Sequence, residues 1–205
     1  VDRNIWLGPA QVSPVLTAPA GWIALTPRLL SSGAGELASR LYKKTAGSGD
    51  PNSVINLNTD VNAHGAIELV AYSGVDQAVI VDAYDSLSKT SNSSTVTTPN
   101  VATSSSNVVV VSAFFDRTNP GTAATASWTP PAGEAIRASS FGTGTDGRVS
   151  GAITDDGTLH AAGTYGTGIA TADQQSYLGI GWTVVLKSGG TGAGGQHLGT
   201  LHQPS

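Results

Sequence analysis

Four histidines, fourteen carboxylates and no cysteine set the limits of what chemistry this 205-residue chain could attempt. His64, His160, His197 and His202 fall in neither a His-x-x-x-His nor a His-Glu-x-x-His arrangement. His197 and His202 stand five apart in a glycine-rich tail, where a shared metal would need several tails to meet. The stronger reading makes them solvated residues that touch a neighbour. Asp76, Asp82 and Asp85 gather beside a strand, and Asp146, Asp155 and Asp156 flank turns. Calcium favours such oxygen-rich loops, but the spacing does not fit Asp-x-[Asp/Asn]-x-[Asp/Asn]-Gly. Asp146-Gly147 and Asp156-Gly157 read as hairpin turns, because glycine supplies the positive φ.

Catalysis by paired carboxylates needs two acids facing each other across a cleft. The only glutamates are Glu36, Glu68 and Glu134, and strand periodicity predicts all three on outward positions. No Gly-x-Ser-x-Gly elbow occurs. The glycine-rich stretch 142–147 lacks the lysine and following helix of a phosphate loop. No catalytic, metal or cofactor residue is expected. Trp182 lies on the apolar face of its strand and is expected in the core. Trp6 and Trp128 lie near loops, where packing against another subunit is favoured over stacking on a sugar ring. The candidate contact residues are therefore Ile5, Trp6, Leu7, Trp128, His197 and His202.

The elements that position these groups follow from composition. Only 12% of residues are charged and 26 are glycine, which suits many short strands and tight turns rather than long helices. A net charge of −4 gives no reason to expect nucleic acid or an anionic membrane as partner. The single basic pair, Lys43-Lys44, reads as solvated strand-end charge. No run of about 20 apolar residues is present. Without cysteine, burial and strand pairing must hold the fold.

Residues 1–16 read as an irregular arm interrupted by Pro9 and Pro14. Strands are expected at 22–30, around Leu37, Ser39 and Leu41, at 53–57 and at 65–72. Others are expected after a short apolar run at 78–81, near 95–97, and at 108–115, 135–141, 148–154, 159–165 and 178–186. Asp173-Gln174-Gln175 reads as a single turn, and 190–205 as a flexible tail. Thr17-Ala18-Pro19-Ala20-Gly21 recurs as Thr129-Pro130-Pro131-Ala132-Gly133. Residues 36–41 align with 148–153 and 65–74 with 180–189, suggesting half-repeats at about 17–75 and 108–189 that share one core. The fold class expected is all-β: a two-sheet antiparallel β-sandwich, jelly-roll or lectin-like, spanning 17–189. The first half lacks a comparable apolar opening strand: either Ile5-Trp6-Leu7 fills that position weakly, or the first sheet has an open edge for strand addition.

Pro19-Ala20-Gly21-Trp22, then Ala71-Tyr72-Ser73-Gly74-Val75-Asp76, Ile80-Val81-Asp82-Ala83 and Thr97-Thr98-Pro99-Asn100-Val101 follow one another in order. Over residues 17–188 this order resembles a β-sandwich module of actinobacteriophage virion proteins and of surface proteins of their hosts. Glu134 stands where that module usually has tryptophan, and Trp22 matches one of its turn positions, for which the resemblance implies a place in the core. The resemblance implies a minor tail or capsid accessory protein, with other virion proteins and its own copies as partners. The first six residues show neither the basic start nor the apolar run of a secretory signal. A virion protein made in the host cytoplasm and released by lysis reconciles that with a composition suited to an extracellular shell. The expectation is a non-enzymatic capsid-decoration or minor tail protein that docks through its termini. The alternative is a carbohydrate-binding or host-adhesion module.

Overall fold

The structure is a computed structural model, and it describes residues 2–3, 16–26, 28–32, 35–48, 50, 54–56, 58–59, 64–89, 91–119, 121–142 and 149–189. Among these residues every regular element is a strand. In chain order they are β1 (Asp2–Arg3), β2 (Leu16–Thr17), β3 (Ile23–Ala24), β4 (Arg28–Ser32), β5 (Gly35–Ser39), β6 (Tyr42–Lys43), β7 (Asn58–Thr59), β8 (Val81–Lys89) and β9 (Ser93–Thr97). They continue with β10 (Val101–Thr103), β11 (Val108–Arg117), β12 (Trp128–Thr129), β13 (Ala135–Phe141), β14 (Val149–Asp155), β15 (Gly163–Tyr165), β16 (Ile169–Ser176) and β17 (Leu178–Lys187).

The framework is a five-stranded antiparallel sheet in the order β13-β14-β11-β17-β8. Its central strand carries apolar residues on both sides, because β11 begins with four consecutive valines and ends its apolar run on two phenylalanines. Period-two geometry divides these side chains between two faces. Val111, Ala113, Val149, Ile153, Leu178, Ile180, Trp182 and Val184 form one apolar layer, covered by Leu37, Leu41, Ala66, Val70, Tyr72 and Val75. On the opposite face Phe114 and Ala152 pack with Val96, Trp128, Ala170 and Ala172 of the sheet β12-β16-β9. Val108 and Val185 pack there with Val101. The central sheet and β12-β16-β9 make an antiparallel β-sandwich, and described residues between Leu37 and Val75 cover its other side. The expected single common interior is thus two layers divided by a sheet.

That division explains the glycines of β17. Gly179, Gly181 and Thr183 are buried opposite the Leu-Ile-Trp-Val-Leu face. A Cβ on Gly181 would overlap the carbonyl oxygen of Thr97 and sit 2.8 Å from its carbonyl carbon. The β9 backbone crosses β17 at a distance only glycine permits. Thr183 then donates to the Pro99 carbonyl at 2.6 Å, fixing the crossing.

The two Pro-Ala-Gly segments form the same turn. Trp22 N bonds Pro19 O and Glu134 N bonds Pro131 O, both at 3.0 Å, with φ of 80° at Gly21 and 86° at Gly133. Beyond the turns the aligned segments differ. Residues 36–39 and 149–153 both lie in strands, but 65–72 has no sheet pairing while its counterpart lies in β17, inside the central sheet. Other corrections are local. β8 is a nine-residue edge strand where only an apolar run at 78–81 was expected. Asp173, Gln174 and Gln175 belong to β16 rather than to a turn, in the stretch where its register with β9 shifts between Thr171 and Ser176. Residues 54–56 form no strand, and only 163–165 of the expected strand at 159–165 pairs regularly.

Candidate functional site

The glutamates are not outward. Glu36 is 7% exposed. In 65–72 the side facing the sheet is the Glu68, Val70 and Tyr72 side, whereas Ile67 and Ala71 are exposed. Periodicity had set out the alternation but not which side the core would take.

Three polar constructions result. The first is at the end of β14, where Asp155 is fully buried. Tyr72 donates to its Oδ2 at 2.8 Å, while Arg137 Nε and Nη2 and the Gly157 amide reach its Oδ1 at 2.9, 2.7 and 2.8 Å. The guanidinium reaches it from β13 where the register with β14 slips between Ile136 and Ala138. Burial, then the Asp155 charge, raises the Tyr72 phenol above its ordinary range, keeping it a donor. Bonding to Asp155 raises Arg137 as well. Glu68 lies on the same face, accepting from Ser140 and occupying the space above Gly151. Burial pushes its carboxyl to about 7, against the Ser140 bond that pulls it down.

The second is on the opposite face. Glu134 accepts from Ser112 at 3.3 Å and from Thr154. Burial raises its pKa, and those two hydroxyls oppose the rise.

The third lies further along that face. Asp116 is 1% exposed and accepts from Thr125 at 2.7 Å and Ser150 at 2.6 Å. Lys89 Nζ donates to the Ser93 carbonyl at 2.7 Å and to Ser176 Oγ at 2.9 Å. Burial pushes Asp116 to about 6 and pulls Lys89 down to about 8.

These acids do not make a glycosidase pair. Glu134 and Asp155 are at the same end of the sheet but on opposite faces, because their contacts on β14 are Thr154 and Asp155 itself. Glu68 and Asp155 share a face, but Gly151 and Asp155 are four residues apart, about 13 Å along a strand. That exceeds the roughly 5–10 Å that glycoside hydrolysis uses. Each carboxylate instead accepts bonds from partners on other segments, which is the role of a structural cross-tie.

A pH dependence follows. In the unfolded chain Glu68 and Asp116 titrate near their ordinary 4.5 and 3.8, and in the fold near 7 and 6. The folded state binds the extra protons, so this stabilisation is complete below the unfolded values and disappears as pH rises through the folded ones. Asp50, Asp76 and Asp156 are shifted downward and act oppositely, losing their contribution only below about pH 4. The urea midpoint is therefore expected to be higher at about pH 5 than at about pH 7.5, by at least about 1 kcal/mol. Glu68→Gln reduces that difference. A midpoint that rises toward neutral pH would refute it.

Of the expected contact residues, Ile5, Trp6, Leu7, His197 and His202 lie outside the described residues. Trp128 lies inside the fold: it is 6% exposed, with its ring centroid 6.4 Å from that of Phe114. Its indole N–H has no hydrogen-bond partner among the described residues. Trp182 is in the core at 1% exposure, and Trp22 is half-buried in its turn. His160 pairs with Asp156 at 3.0 Å and packs on Tyr165 at 5.0 Å between centroids. Asp76 caps the amides of Ala78 and Val79, and Asp82 accepts from Thr103 and Ser105, so the expected cluster at 76, 82 and 85 is spread over separate contacts. Lys89, Asp116, Tyr72 and Arg137 had not been singled out. The one signal is two adjacent charged residues, Asp116-Arg117, at the end of a mostly apolar strand.

A scan against protein-family models, a search of curated proteins and a search of solved structures each return no match.

Proposed function

We propose that this chain is a non-enzymatic structural or accessory component of a bacteriophage particle, a capsid-decoration or minor tail protein. It docks onto other virion proteins, and onto its own copies, through residues 1–16 and 190–205. The observation that carries this reading is how the acids are used: Glu68, Glu134, Asp116 and Asp155 each accept hydrogen bonds from other parts of the chain. Such cross-ties make a rigid body suited to bearing load, and docking through two terminal segments would gain affinity from many copies bound together. The motif order over residues 17–188 points to the same class of protein. A glycan platform at Trp128 has less support, because that ring packs on Phe114.

The test is quantitative mass spectrometry and cryo-electron microscopy of purified particles from cells expressing the full chain or a chain that lacks residues 190–205 and carries Ile5→Ala, Trp6→Ala and Leu7→Ala. The expected result is a fixed stoichiometry with density at repeated positions, abolished in the shortened chain while its unfolding midpoint is preserved. Absence of the full chain from particles overturns the reading. So does undiminished incorporation of the shortened chain.

A further inference from the structure

Lys89, Gly179 and Asp116 stand in one cross-strand row: Gly179 is opposite Lys89 across β17 and β8, and opposite Asp116 across β17 and β11. With no side chain at its centre, the row has room for the lysine stem. A Cβ at Gly179 would lie 3.1 Å from Lys89 Cε. The stem therefore lies over Gly179, the residue that separates Lys89 from Asp116 in the row. Its Nζ is held by Ser93 O and by the fully buried Ser176 hydroxyl, which also faces the Asp116 carboxyl. Both carboxyl oxygens of Asp116 are gripped, Oδ1 by Ser150 and Oδ2 by Thr125.

We propose that Lys89 and Asp116 form a modification site, in which an amide between Lys89 Nζ and Asp116 Cγ ties the edge strand β8 to β11 across β17. A neutral amine that donates both hydrogens to Ser93 and Ser176 keeps its lone pair free for attack. The hydroxyls of Ser150 and Thr125 polarise the carboxyl and stabilise the charge that develops on its oxygens, as donors in an oxyanion hole do. The C–N bond forms as one C–O bond breaks. The departing oxygen takes the carboxylic acid's proton and one amine proton, the latter passed through Ser176 Oγ, and leaves as water. Burial brings the pair closer to the neutral forms that the step consumes, lowering the amine and raising the acid. The same burial keeps bulk water from reversing the step. The link would do for this cysteine-free chain what a disulfide does elsewhere.

The inference does not depend on the virion reading, and its test is separate. The intact mass of the full chain is measured under denaturing conditions after prolonged incubation of the folded protein, followed by digestion and fragment sequencing. The expected mass is that of the sequence less one water, with a branched peptide joining the segments that carry Lys89 and Asp116. Asp116→Asn should form the same link with loss of ammonia, and Lys89→Arg should have its full sequence mass. A wild-type mass equal to that of the sequence overturns the proposal and leaves a hydrogen-bonded network. So does a water loss that persists in Lys89→Arg, which would place the dehydration elsewhere, as at the Asp156-Gly157 turn.

Discussion

Gly181→Ala is expected to cost about 3 kcal/mol or more, although the change adds one methyl group and removes none. In an ordinary strand the substitution is mildly favourable, because alanine has less freedom to lose on folding. Here the added carbon would overlap the Thr97 carbonyl and lie 3.1 Å from Thr98 Cα, so its obstacles are backbone atoms and not the tip of a flexible side chain. Relief requires moving β9 away from β17. That opens the layer of Val96, Phe114 and Trp128 and breaks the bond from Thr183 to Pro99. Gly47→Ala is the control, since its nearest neighbour would be Asp50 Oδ2 at an ordinary 3.9 Å. Urea titration of the two variants should give a large fall in midpoint for the first and a change within about 0.5 kcal/mol for the second. Equal midpoints would mean that β9 does not lie against β17.

Trp182→Ala is the other large expected loss, about 3–5 kcal/mol. The indole is 1% exposed at the middle of the apolar face of β17, with the Tyr84 ring centroid 6.4 Å away. Its Nε1 donates to Ser39 Oγ at 2.8 Å, joining positions 143 residues apart. Truncation therefore empties a large volume and also removes the donor from a buried hydroxyl. A double-mutant cycle separates the two effects: with Ser39→Ala already present, the tryptophan truncation should cost about 1 kcal/mol less. Additivity of the two changes would show that the hydrogen bond contributes nothing beyond packing.

The strands that could be read from the sequence are those whose side chains reveal their surroundings. β11 is a continuous apolar run, β17 alternates strictly on one face, and β13 is bounded by a turn. β8 was not legible because Asp82, Asp85, Ser86 and Ser88 make an edge strand look like a connector. The far side of β17 was missed for a different reason. Glycine has almost no hydropathy, so a glycine buried by close backbone approach and one exposed in a turn look alike in sequence. The polar constructions were hidden for a third reason. Glu68, Glu134 and Asp155 have the residue types of a surface, and only their partners on other strands, such as Ser140, Thr154 and Arg137, make burial tolerable. Those partners lie 72, 20 and 18 residues away. No local pattern could have matched them.

The position of β17 also has a consequence for biosynthesis. It is the last strand of the described chain, yet it lies between β11 and β8. Until residue 187 has left the ribosome, one side of β11 and the inner side of β8 have no strand to pair with. Folding must therefore be late and dominated by distant contacts, leaving sticky nascent segments exposed for much of translation. Chaperone demand and yield should depend on how quickly the codons of β17 are translated.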